Sequence, residues 1–204
     1  MKAAVAVLGL AAASLLLVGG AEAKPTQTTK YTYYAIAGDT AVEIYNSMMK
    51  KGPKVNGAKA YATTSATTTQ DGKLLQGASC RVEDYRLRLD FVIKLPKIKN
   101  EKVLPAADRK RWQQFSSFLK THEETHRKIW LDCAADLERQ VKSIKAKSCS
   151  EADRKATQLW DKIRAACNRK HIAFDAAEQT KLMKHPFVQM VYKSSTAVHG
   201  ASAE

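Results

Sequence analysis

No two of the four cysteines in this 204-residue chain stand at the C-x2–4-C spacing of a structural zinc site, no segment repeats another, and no apolar run beyond residue 18 approaches the length of a membrane span. Zinc ribbons, repeat arrays and multi-span membrane proteins are thereby set aside. Acidic residues are also scarce: 20 Asp and Glu face 34 Lys and Arg, a formal net charge of +14. The cations are spread over Lys94 to Lys102, Arg109-Lys110-Arg111, Lys142 to Lys147 and Arg169-Lys170, interleaved with apolar positions, which is the pattern of solvated helix faces. Such a surplus also suits an anionic envelope polymer or lipid, and no nucleic-acid partner is expected for an exported chain.

Export is what the first residues predict. Lys2 provides a short positive end, Ala3 to Val18 an apolar stretch, and Ala21-Glu22-Ala23 a small-residue cleavage site, so residues 1–23 read as a signal peptide. The apolar stretch is shorter than the roughly 20 residues of a spanning helix, which argues against a transmembrane anchor. The expected location is the periplasm or the medium. Residues 24–193 then form one domain of ordinary size, and residues 194–204 a flexible tail.

An even number of cysteines in an exported chain implies two disulfides. The stretches 106–147 and 151–180 read as helices joined around Ser148-Cys149-Ser150. In an antiparallel hairpin of these two, residues whose numbers sum to about 300 share a height. Cys133 and Cys167 satisfy that condition, which predicts a Cys133–Cys167 staple and leaves Cys80–Cys149 to tie the sheet to the turn.

Upstream, Tyr31 to Ile36 has the content of a strand, Thr40-Ala41-Val42-Glu43 is a capping box opening a short helix, and Gly52-Pro53 ends it. Tyr61 to Thr69 reads as a Thr-rich strand, with Asp71-Gly72 as the turn that follows. Tyr85, Leu87, Leu89, Phe91, Ile93 and Leu95 alternate with polar residues, the mark of a strand with one buried face. Pro105 opens the long helical stretch. Strands first and helices afterwards give an α+β domain: a small, mainly antiparallel sheet packed on a long helical hairpin.

Within that hairpin lies Thr121-His122-Glu123-Glu124-Thr125-His126, an HExxH. Two imidazoles four residues apart share a helix face and can grip one Zn2+, and Glu123 beside them can take a proton from a metal-activated water. The chemistry is that of a zinc metallopeptidase hydrolysing peptide or cell-wall amide bonds, with Glu123 as general base. A third ligand is needed, and the candidates are His171, Asp175, Glu178, His185 and His199. Hairpin heights bring His171 to Glu178 level with the motif, which makes Glu178 an alternative direct ligand and Asp175 a partner for the outer nitrogen of a ligand histidine.

Tyr33-Tyr34 before Gly38-Asp39-Thr40, Gly52-Pro53, Tyr61-Ala62-Thr63-Thr64, Cys80-Arg81-Val82, Leu95-Pro96 and the HExxH together resemble a bacterial family of unknown function regarded as secreted zinc-dependent proteases. The resemblance implies a zincin-like fold, His122 and His126 as ligands and Glu123 as base. It also implies a downstream YDxxTxHG segment supplying the third histidine. Here Phe174-Asp175-Ala176-Ala177-Glu178-Gln179-Thr180 keeps the aromatic and the Asp but has Glu and Thr where that pattern has Thr and His. The next histidine is His185, the expected third ligand. The competing expectation is a non-catalytic basic envelope protein that holds an anionic partner, with a structural zinc or none.

Overall fold

The computed structural model describes residues 25–55 and 57–200, with side chains as far as 194. Residues 1–24, which include the expected signal peptide, and residues 201–204 lie outside it. Strand β1 (Thr26–Ile36) runs parallel to the long β5 (Cys80–Ile98), β4 (Thr63–Gln76) pairs antiparallel with the other edge of β5, and β6 (Lys145–Ala146) adds an antiparallel bridge at its start. A separate ribbon joins β2 (Lys54–Val55) to β3 (Ala58–Lys59). Helix α1 (Ala41–Lys51) follows β1, and α2 (Ala106–Lys142), α3 (Cys149–Lys184) and α4 (Pro186–Gly200) follow the sheet. This is an α+β architecture with a mainly antiparallel sheet.

Local chemistry accounts for the boundaries. Thr40 caps α1 by accepting from the Glu43 N–H, and Glu43 reaches back to the Asp39 N–H. Ser148 caps α3 by accepting from Glu151 N–H. Along β5 the alternation from Tyr85 to Leu95 is buried inward as the sequence predicts. Further back the parity breaks: Cys80 and Val82 are buried, and Asp84, at φ 53°, inserts an extra residue before Tyr85.

Asp71-Gly72 is not the hairpin turn. It lies inside β4 opposite that bulge, and the chain reverses at 77–79 instead. A Cβ on Gly72 would stand 3.0 Å from the Tyr85 ring, so the glycine serves close approach of Tyr85 rather than a turn. Helix α4 runs on through Ser194 to Gly200, into the segment expected as a tail.

Helices α2 and α3 form the expected hairpin, and both disulfides are those the register predicts: Cys133–Cys167 across it, with Cα atoms 6.0 Å apart, and Cys80–Cys149 between sheet and turn. The core divides in two. One cluster gathers Ile36, Ile44, Met48, Ile93, Trp112, Phe115 and Phe187 at the α1–α4 end. The other gathers Leu87, Leu89, Phe91, Leu137, Val141 and Ile163 around the disulfides. Between them, on α2, lies the HExxH. Among the described residues no helix is long and apolar enough to cross a membrane.

Candidate metal centre

One residue along a helix turns the side chain by about 100°, and this step divides the motif's work. His122 and His126 face α3, while Glu123 faces the sheet. There Glu123 is buried at 4% exposure, and the Thr64 hydroxyl of β4 lies 2.8 Å from its Oε2 and 2.9 Å from its backbone carbonyl oxygen, two acceptors for one donor. Burial pushes its carboxyl up to about 7, with the Asp175 charge adding to the rise and the Thr64 hydrogen bonds opposing it. Glu124 belongs elsewhere: Arg127 Nε donates to it at 2.6 Å and the Tyr31 hydroxyl is its other partner.

From α3, Asp175 enters between the histidines. Its Oδ1 stands 3.2 Å from His122 Nε2 and 2.9 Å from His126 Nε2, and the two Nε2 atoms are 3.1 Å apart. Two ligand atoms at the usual zinc distances and a tetrahedral angle stand about 3.3 Å apart, so the three donors are spaced for one ion. Two imidazoles and a carboxylate are also a donor set that catalytic zinc uses. Among the described residues this is the one cluster of three such groups with converging ligand atoms. Burial, then the neighbouring His126, holds His122 below the usual histidine range, which favours the neutral imidazole that a metal requires.

Around this trio the packing is aromatic. Phe174 stacks on His122 with centroids 4.8 Å apart and meets His126 edge-on at 5.1 Å. His171, one turn earlier on α3, places its Nδ1 2.8 Å from His126 Nδ1. Were His126 Nε2 given to a metal, its Nδ1–H would be the donor and His171 the acceptor. The other nitrogen of His171 lies 3.8 Å from Cys167 Sγ. Burial and His126 both lower the His171 imidazole, which keeps it neutral and able to accept.

His185 stands outside the cluster. It ends α3, its Nδ1 accepts the Phe187 N–H at 3.2 Å, and its ring packs on Phe115 at 5.1 Å and Phe118 at 5.6 Å. His185, expected as the third ligand, is not among the converging donors: α3 runs unbroken to Lys184, and the residue at the height of the motif is Asp175. Glu178 lines the same cleft, where its charge acts on His122, but Lys181 Nζ holds it at 2.6 Å. The side chain of His199 lies outside the described residues. Thr64 is the partner that motif reading missed, although Tyr61-Ala62-Thr63-Thr64 marked its segment.

The trio opens onto a cleft of about 530 Å3, walled by β4, α2, α3 and the β2–β3 ribbon. The family model described as "Bacterial protein of unknown function (DUF922)" matches residues 31–184. The chain belongs to this family. No curated protein and no solved structure matches it. The stretch shared with the DUF922 family runs from the middle of β1 to the end of α3, holds His122, Glu123, His126, His171 and Asp175, and stops one residue before His185. Membership therefore covers the whole trio while assigning it no activity.

Proposed function

We propose that the protein is an exported zinc-dependent hydrolase of peptide or related amide bonds. The observation that carries this reading is the convergence of His122 Nε2, His126 Nε2 and Asp175 Oδ1 within 3.2 Å beside the buried carboxyl of Glu123. A zinc ion held by that trio would supply a Lewis acid and lower the pKa of a bound water. Glu123, poised at about 7, is suited to take a proton from water and return it to a leaving amine. Thr64 fixes the carboxyl's direction, and burial keeps it from being solvated into an ordinary surface acid. Among the described residues strand β4 pairs only with β5, so its outer edge beside the cleft can take an extended chain as an added strand. Two disulfides and the absence of a spanning helix among the described residues are compatible with an oxidising envelope or extracellular location.

The competing reading is a non-catalytic envelope protein with a basic surface for an anionic partner. It is favoured by one feature: Asp175 Oδ1 can accept from both Nε2–H groups, which satisfies the cluster without any metal. Zinc content of the mature protein separates the two. The hydrolase reading expects about one zinc per chain, lost in His126→Ala, with Glu123→Gln keeping zinc but losing turnover. A wild-type protein that takes up no zinc when supplied with it, or a fully active Glu123→Gln, would refute it.

A further inference from the structure

The chain carries 34 Lys and Arg, yet among the described residues none lines the cleft beside the trio. The acidic groups on its walls are Glu123, Asp175 and Glu178, the last paired with Lys181 Nζ at 2.6 Å. The remaining wall is largely apolar, with Val55 from the β2–β3 ribbon, Phe118 and Trp130 from α2, and Ile172 and Leu182 from α3. Val55 and Ile172 are large aliphatic side chains left 47% and 59% exposed at the mouth. Exposed aliphatic groups at the rim of a concave, partly polar site are a recurrent mark of ligand contact.

From this contrast we infer that the cleft selects a peptide segment with a bulky apolar side chain and no nearby carboxylate, and rejects the anionic polymers that the overall charge attracts. The inference rests on the hydrolase reading for the fate of the bound segment, but not for its recognition. An acidic side chain placed in the cleft beside the trio would face Asp175 and Glu178, the latter's partner Lys181 being already engaged, and would lose its hydration against apolar walls. An aliphatic or aromatic one would cover Ile172 and Val55 and release water from them. The basic patches elsewhere act on distant anions, attracting or retaining the protein at an envelope surface without filling the cleft.

The test uses blocked hexapeptides of Ala and Gly with one central Leu or Phe, compared with the same peptides carrying central Asp or Glu. Binding to zinc-supplied Glu123→Gln protein is read by calorimetry, and cleavage by the wild type is read by mass spectrometry. At least tenfold tighter binding of the Leu and Phe peptides is expected, falling several-fold in Ile172→Glu and in Val55→Glu, whose exposed positions leave the fold intact. Equal binding, tighter binding of the acidic peptides, or no binding of either set would overturn the inference. Selective binding without cleavage would leave it standing and sink the hydrolase reading. Cleavage without side-chain preference would do the reverse.

Discussion

In a Cys133→Ala/Cys167→Ala double variant, the chain loses a loop closure of 34 residues between α2 and α3. The chain-entropy relation puts that loss at about 3.8 kcal/mol at 25 °C, against about 4.4 kcal/mol for the 69-residue Cys80–Cys149 closure. Stability alone therefore hardly distinguishes the two bonds. Position does. His126 lies seven residues before Cys133 and Asp175 eight residues after Cys167, so the staple sits roughly 10–12 Å along the hairpin from the donors. It holds the two helices that must bring Nε2 and Oδ1 together, and His171 stands between it and His126. Cys80–Cys149 instead ties the start of β5 to the first turn of α3, at the far end of the hairpin from the site.

The expected result is that this variant and Cys80→Ala/Cys149→Ala each lose about 4 kcal/mol in urea unfolding followed by circular dichroism, while only Cys133→Ala/Cys167→Ala weakens zinc binding in the folded state. A tenfold weakening corresponds to about 1.4 kcal/mol of lost preorganisation. Zinc affinity is measured by competition with a chromophoric chelator at a urea concentration of zero, where all forms are folded. Unchanged affinity in Cys133→Ala/Cys167→Ala, or equal weakening in both variants, would refute the assignment of the staple to the site.

Other expectations follow from the same geometry. Asp175→Ala should lower zinc affinity by at least 100-fold while His185→Ala leaves it within a few-fold, and the opposite ranking by the same chelator assay would return His185 to the site. His171→Leu should weaken zinc binding 10- to 100-fold, with His171→Asn, which keeps an acceptor near the Nδ1 position, restoring most of it; equal loss in both would make His171 a packing residue only. In metal-free protein Glu123 has a folded pKa of about 7, above its ordinary value, so the stability linked to its protonation is complete below about pH 4.5 and is lost as pH rises through 7. Metal-free Glu123→Gln should then match the wild type in thermal melts at pH 4.5 and exceed it at pH 8 by up to about 3 kcal/mol, and a difference independent of pH would contradict the burial argument.

How far the sequence foretells this protein differs from element to element. The register of the α2–α3 hairpin is legible because two long helices joined by a short link leave one parameter free, and it yields both disulfides. The buried face of β5 is legible from Tyr85 onward because alternation is strict there. It is hidden before Tyr85 because the extra residue at Asp84 reverses the parity, and a bulge leaves no periodic signal. Asp71-Gly72 misleads for a related reason, since a glycine needed for close approach looks the same in sequence as one needed for a turn. The residue that joins the two histidines is hidden by residue type: His185 is the better zinc ligand by chemistry, but 149–184 contains neither Gly nor Pro to turn the chain back. That absence was the signal that Asp175, already level with the motif, is the residue within reach.

The position of the site between two apolar clusters carries an energetic consequence. From Leu119 to Cys133, about four turns of α2, the fully buried residue is the carboxylate Glu123 rather than an aliphatic group. That stretch forgoes several kcal/mol of apolar burial and adds the desolvation of an acid. The gap is bridged by Phe174 stacked on the histidines, by Thr64 bonded to Glu123, and by the Cys133–Cys167 staple at its lower edge. Each of these groups both compensates the missing core and fixes one member of the site: Phe174 the imidazole planes, Thr64 the carboxyl, the staple the spacing of the helices. If the hydrolase proposal holds, function and stability are coupled at the same residues, and variants that fill the gap with aliphatic side chains, such as Glu123→Leu, should melt higher than the wild type in metal-free form while abolishing turnover.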